Sequence, residues 1–197
     1  MKYKVVLSVI CLFSSLLLMA QTEYSVNLYD SSRERVIPVA VYQPELPDDP
    51  PLAMAGDFME TRMPNWERGV ENVLFVLNEF RKLKPAMKWT DLTLIGHSNG
   101  GDMVMLFAKK HPELIQRAIS LDHRRMIMPR CSSPRIYTLR GSDYDADENV
   151  IPTEEEQQKY RITVINLDGI RHGDMDDKGT KEQHDIILRH ICRFLKD

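Results

Sequence analysis

The sequence predicts an α/β fold built on a mostly parallel sheet, and three observations predict it. From about residue 65 onward, short apolar strands alternate with amphipathic helices, the pattern of strands joined by helical crossovers. One of these strands runs straight into Gly96-His97-Ser98-Asn99-Gly100-Gly101 and then into a helical pattern, so a tight glycine turn joins the two kinds of element. The composition, 43% apolar and 28% charged over 197 residues, suits a chain that buries one ordinary core. Disorder, collagen and coiled coil are excluded.

The elements follow in order. Lys2 and Lys4 precede an uncharged apolar run, residues 5–19, that closes on Ala20-Gln21, which is the pattern of a secretory signal peptide. The run is shorter than the ~20 residues a spanning helix needs. The expected organisation is a signal peptide, 1–21, and one domain, 22–197, exported to a periplasmic or extracellular location, with an uncleaved N-terminal anchor as the alternative. No stable membrane insertion is expected after signal removal. Residues 24–29 and 36–42 alternate and are rich in Val, Ile and Tyr, which predicts a β-hairpin. Residues 44–64, carrying Pro44, Pro47, Pro50, Pro51 and Pro64, read as a long loop. A helix is expected to open at Asn65, capped by that side chain, with Val70, Val73, Leu74, Leu77 and Phe80 on one apolar face. Strands are expected at 92–95, 118–121, 136–139 and 162–167, and further helices at 153–159 and 181–195.

Charge narrows the partners. Lys plus Arg is 26 against 29 for Asp plus Glu, a net charge of −3. The longest run of like charge is Glu154 to Glu156, so no nucleic acid or anionic membrane surface is indicated. With Cys11 inside the signal, Cys131 and Cys192 remain, and the sequence leaves open whether they pair.

Chemistry concentrates at the glycine turn. Gly96-His97-Ser98-Asn99-Gly100 matches G-x-S-x-G between a predicted strand and a predicted helix, the setting in which a serine Oγ stands exposed on a strained turn. A serine hydroxyl needs a base, so a histidine must come from elsewhere in the chain. His172, in the loop after the last strand, is the best placed, and His123 at a strand end is the weaker candidate. A carboxylate must orient that imidazole. Asp143, nearest a strand end in the 141–147 loop, is favoured, with Asp147 next. The acidic clusters 143–147 and 174–177 miss the calcium-loop pattern and read as solvated loops, so no metal and no cofactor is expected.

The segments 64–72, 95–102 and 120–122 (Ser120-Leu121-Asp122) resemble the α/β-hydrolase superfamily. Within it they are similar to the small secreted serine esterases related to platelet-activating factor acetylhydrolase and the dienelactone hydrolase type. The resemblance implies a three-layer sandwich around an eight-stranded, mostly parallel sheet, with a Ser98, Asp143, His172 triad in that chain order. It also implies the Asn99 amide as an oxyanion donor, and hydrolysis of small carboxylic esters through an acyl-enzyme. The family carries a strand ending in a His-Gly loop, then a helix and a strand, where this chain has only residues 44–64, so the fold is expected to be reduced in its N-terminal half. The absent loop would supply the second oxyanion amide. Self-association through an exposed strand edge is the expected structural consequence. Two other functions stay open: a noncatalytic or weakly active remnant that binds, and acyl transfer.

Overall fold

The computed structural model describes residues 24–30, 35–41, 57–86 and 88–196. The expected signal segment, 1–21, and residues 44–56 of the expected 44–64 loop lie outside the described residues. The chain divides into two compact units. In the smaller, β1 (Tyr24–Asp30) pairs antiparallel with β2 (Arg35–Val41), in a register that sets Tyr24 opposite Val41 and Asp30 opposite Arg35. The hairpin read from the alternating residues is present.

The larger unit opens with helix α1 (Phe58–Leu83), earlier than expected. Asp57 rather than Asn65 is its cap, accepting from the Met59 amide at 2.8 Å and the Glu60 amide at 3.2 Å. Pro64 therefore sits inside the helix instead of ending a loop. Proline there forfeits one backbone bond, a cost usually large enough to break a helix, but here the capped first turn and the packed turns after it continue past it. The expected apolar face is the buried one except at Phe80: Val73 and Leu74 pack partly buried against the core, and Trp66 joins it. Trp66, Val70 and Leu77 are buried, whereas Phe80 is 40% exposed beside the exposed Phe75, Val76 and Leu83.

The sheet is parallel throughout its described strands: β3 (Thr93–His97), β4 (Arg117–Leu121), β5 (Arg135–Arg140) and β6 (Thr163–Asn166), in that spatial order. Leu94, Ala118 and Ile136 lie level across it, as do Ile95, Ile119 and Tyr137. Because side chains alternate along a strand, these two rows face opposite sides. Leu94, Ala118 and Ile136 pack with Trp66, Met105 and Phe107 from α1 and α2 (Asn99–Lys110). Ile95, Ile119 and Tyr137 pack with Ile187 and Phe194 of α4 (Lys181–Lys196), where the Tyr137 and Phe194 rings stack at 4.3 Å. The result is helix, sheet and helix in three layers. Helix α3 (Glu154–Tyr160) bridges β5 and β6 and starts with a capping box between Thr153 and Glu156.

The eight strands implied by the resemblance reduce, among the described residues, to these four and the separate hairpin. Strand β3 is an edge of the four-stranded sheet, yet Leu92, Thr93 and Leu94 are each 1% exposed. Among the described residues, no helix is long and apolar enough to cross a membrane.

The position of the α1 cap is open to a direct check. Asp57→Ala should cost about 1 kcal/mol, the usual worth of a carboxylate cap, read as a lower urea midpoint with an unchanged slope. No loss would mean that the helix is held from Asn65 instead.

Candidate active site

The glycine turn is built by close approach. A Cβ on Gly96 would come within 2.2 Å of the Gly100 carbonyl oxygen, and one on Gly101 within 2.9 Å of the His123 Cβ. Only hydrogen fits at either position. The turn drives Ser98 to φ 54° and ψ −122°, a backbone that a side chain rarely adopts. Two hydrogen bonds hold it there: the Ser98 amide donates to the Leu121 carbonyl at 2.9 Å, and the Asp102 amide donates to the Ser98 carbonyl at 3.1 Å. The hydroxyl consequently stands at the end of β3, half-exposed, over the first turn of α2.

His172, in a short 3₁₀ turn after β6, reaches it. Its Nε2 lies 3.0 Å from Ser98 Oγ, and its Nδ1 lies 2.6 Å from Asp122 Oδ2. His97 steadies this loop, with its Nε2 3.1 Å from the His172 carbonyl and the two rings 4.7 Å apart. Burial, and then the His172 charge, push the His97 imidazole below its ordinary range, so it donates that bond as a neutral ring.

Asp122 is the carboxylate on the imidazole, and Asp143 is not. The Asp143 Oδ1 instead accepts from the His172 backbone amide at 2.8 Å, so this residue holds the loop and not the ring. Asp147 is exposed, and its backbone amide donates to the Arg124 carbonyl at 2.8 Å. The physical reason for the correction is reach. Asp122 ends β4, the strand beside β3, at φ 51° and fully buried, directly beneath the ring. Asp143 lies a strand farther out, after β5, on an exposed loop. The signal that could have found Asp122 was its position at the carboxyl end of a parallel strand adjoining the serine turn, where open sheets place their sites.

Four N–H donors and one further guanidinium charge meet at Asp122. Oδ1 accepts from the Gly141 amide at 2.9 Å and pairs with Arg140 Nη2 at 3.0 Å. Oδ2 takes His172 Nδ1 and also Arg124, through Nη2 at 3.0 Å and Nε at 3.3 Å. Burial alone would raise this carboxyl, but the His172 bond, the Arg140 charge, the Gly141 amide and Arg124 together hold it far below the usual carboxylate range. An ionised Asp122 can only accept, so Nδ1 carries the proton and Nε2 is left free to accept from Ser98 Oγ–H.

Asn99 follows the serine, and its backbone amide is the oxyanion donor expected from chain position. Its side chain is locked from α1: Trp66 Nε1–H donates to Oδ1 at 2.7 Å, and Nδ2 donates to Asn65 Oδ1 at 3.2 Å. Asn65 thus serves Asn99 and not the helix end. Asp102, also on α2, accepts from the Arg125 amide at 3.0 Å and the Met126 amide at 2.8 Å, tying the chain beyond Asp122 to the serine helix. The weaker base candidate, His123, is wholly buried with Nδ1 2.6 Å from Ser120 Oγ, and burial drops it to about 3. Cys131 and Cys192 are both free.

A parallel sheet, a glycine-flanked serine turn between strand and helix, and a Ser, Asp, His set at strand ends define one architecture. The chain has an α/β-hydrolase fold. It is 31% identical over 115 residues to the serine hydrolase-like protein of Mus musculus, a match covering 57% of this chain and 36% of that protein. The chain thus matches little more than a third of the length of this curated relative. Three solved structures are more distantly similar. One belongs to work on carboxylesterases of the thaumarchaeon Nitrososphaera gargenis (TM-score 0.43, 15% identity, 63% of this chain and 73% of that one). Another is an α/β hydrolase enzyme from a metagenome of lagoon sediments of Mar Chica, Morocco (0.39, 14%, 63% and 70%). The third is a Lactobacillus plantarum protein (0.46, 11%, 90% and 98%). No family model matches the chain.

Two carboxylates at this site give the molecule opposite responses to acid. Asp102 is lifted to about 6 from 3.8, chiefly by burial and against the pull of its two amides. A folded-state value above the unfolded one means stability is fully present below about pH 4 and falls as the pH rises to about 6. The size is about 3 kcal/mol at 1.36 kcal/mol per unit. Asp122 is depressed, so its contribution is present above about pH 4, the ordinary unfolded range, and is lost below it. Urea midpoints against pH should therefore fall between pH 4 and 6, and Asp102→Asn should flatten that limb while leaving the loss below pH 4. An unflattened limb would place the titration elsewhere.

Proposed function

We propose that the protein is a serine hydrolase that cleaves small carboxylic esters through an acyl-enzyme. The observation that carries this reading is the continuous hydrogen-bonded chain Ser98 Oγ, His172 Nε2, His172 Nδ1, Asp122 Oδ2, whose links measure 3.0 and 2.6 Å. In the reaction, His172 Nε2 takes the Ser98 proton as Oγ attacks the ester carbonyl. Asp122, accepting from Nδ1–H, holds the tautomer and stabilises the imidazolium without taking the proton. The Asn99 amide, at the N-terminus of α2, faces the charge that develops on the carbonyl oxygen. Collapse breaks the ester bond, His172 protonates the departing alcohol, and water enters by the reverse sequence to release the acid.

Connections without a helix of their own favour small esters. The chain returns from β4 to β5 and from β5 to α3 through loops alone, which gives little cover for a long acyl group. Export belongs to the same proposal and rests on the Lys2, Lys4 and residues 5–19 pattern. A binding remnant without catalysis is the competing reading, favoured by the single oxyanion amide that can be named. Loss of one such donor costs about 10²–10³ in rate.

A fluorophosphonate probe tests the proposal directly. It should label the purified protein, fail on Ser98→Ala, and react far more slowly with His172→Ala. A folded wild type that stays unlabelled would make the remnant reading correct. The two carboxylates should separate in p-nitrophenyl acetate turnover. Asp122→Asn should lose about 10³–10⁴-fold through the wrong imidazole tautomer, while Asp143→Asn, which loses only a bond to the loop backbone, should lose about tenfold or less. The reverse ranking would return the acid to Asp143.

A further inference from the structure

We propose that Arg124 and Arg140 are positioning residues that act through Asp122 to keep His172 a free base at lower pH than a lone carboxylate would. The inference rests on the serine-hydrolase reading for its consequence in rate, but its structural content is separate. Arg140 is 5% exposed, pairs with Asp122 Oδ1 at 3.0 Å, and donates through Nη1 to the His123 carbonyl. It anchors the carboxylate from β5. Arg124 does something different, because it shares Oδ2, the same oxygen that receives His172 Nδ1–H. Any charge it draws from that oxygen is charge the imidazolium cannot use.

The surroundings of His172 show which charges count. From the end of β4 come the Asp122 anion and the Arg124 cation, and from β5 the Arg140 cation. From the loop after β5 comes Asp143, bonded to the His172 amide and 3.9 Å from Arg124. From β3 comes His97, held neutral by burial. On the histidine's own loop, Arg171 is paired with Asp174 at 3.5 Å, and Asp176 accepts from the Lys178 amide. Two guanidiniums thus oppose two carboxylates, and one of the carboxylates is in contact with solvent. Protonating His172 adds a third cation to this group. A triad with a bare aspartate would only neutralise itself.

Arg124 is also the member that can be varied. Its guanidinium lies 4.4 Å over the ring of Tyr144, which is 63% exposed, so it packs at the rim and not in the core. Substitution there removes a charge from Oδ2 without opening a cavity under the sheet.

The test compares wild type, Arg124→Gln and Arg124→Lys. One readout is the NMR titration of the His172 ring in ¹⁵N-histidine-labelled protein, assigned with His172→Gln. The other is the pH dependence of the fluorophosphonate labelling rate. With glutamine, the His172 midpoint and the acid limb of labelling should both move up by about 0.5–1 pH unit, the scale of one partly screened charge at this range. With lysine both should stay at their wild-type values. Arg124→Met fills the same trough and should give the same rise, standing in should the glutamine variant not fold. A midpoint that does not move in the neutral variants, or one that moves equally with lysine, overturns the inference, as does a loss of labelling uniform across pH. If no protein labels at all, the serine-hydrolase reading fails, and the NMR midpoints still decide the role of Arg124.

Discussion

The site depends on burying one negative charge. A carboxylate without partners inside a protein would take up a proton or unfold its surroundings. Asp122 avoids both because its partners come from separate parts of the chain: the Gly141 amide and the Arg140 charge from the end of β5, Arg124 from the loop after β4, and His172 from beyond β6. The charge therefore works as a hub that gathers three loops at the carboxyl ends of the strands. Ser98 joins from the other side, because its amide is bound to Leu121, the residue just before Asp122. Serine and acid are thus placed by adjacent positions on adjacent strands, and the histidine is the only member that must travel.

That arrangement explains what could be read from the residues. The turn at Gly96 to Gly101 was legible because steric demand there is local: a Cβ at Gly96 meets the backbone of its own turn, whatever the rest of the fold does. The four strands were legible from short apolar runs, and their order follows from the crossovers. His172 was legible by elimination, since the other histidines stand inside the turn, on helices or at a buried strand end. Asp122 was hidden for a physical reason. An acid on a flexible polar loop looks available, and one wedged between an apolar strand and a histidine looks structural. Availability to solvent is the wrong criterion, because a carboxylate orients an imidazole best where water does not compete for it. The start of α1 was hidden in a similar way. Pro64 is a strong local breaker, and the packing of Trp66 and Val70 that outweighs it is a tertiary fact.

Helix α1 has a second task that its apolar periodicity does not reveal. Trp66 is fully buried, yet its indole N–H is spent on Asn99. A buried indole needs an acceptor, and here the acceptor is the side chain of the residue whose amide follows Ser98. Core packing and site geometry are consequently one interaction at this point. Asn65 adds to it from the half-exposed side of the same helix turn. The first residue of the serine helix is thus fixed from outside its own element.

These links also show how the apparatus is divided along the fold. Ser98 and Asp122 stand at the ends of β3 and β4 and His172 in the turn beyond β6, and their supports Arg140, Asp102, His97 and Trp66 lie on β5, α2, β3 and α1. All belong to the chain from Asp57 onward, and none needs a strand beyond β3. In the proposed reading, the nucleophile, the base and the acid are therefore held by the four described parallel strands and the loops that follow them. The resemblance would draw a second oxyanion amide from a loop ahead of α1, outside these elements. Proton transfer and charge stabilisation are in this way separable parts of the same active site. An arrangement with the first intact and the second reduced would make an activated serine whose rate is limited by how well the Asn99 amide and the α2 N-terminus hold the oxyanion.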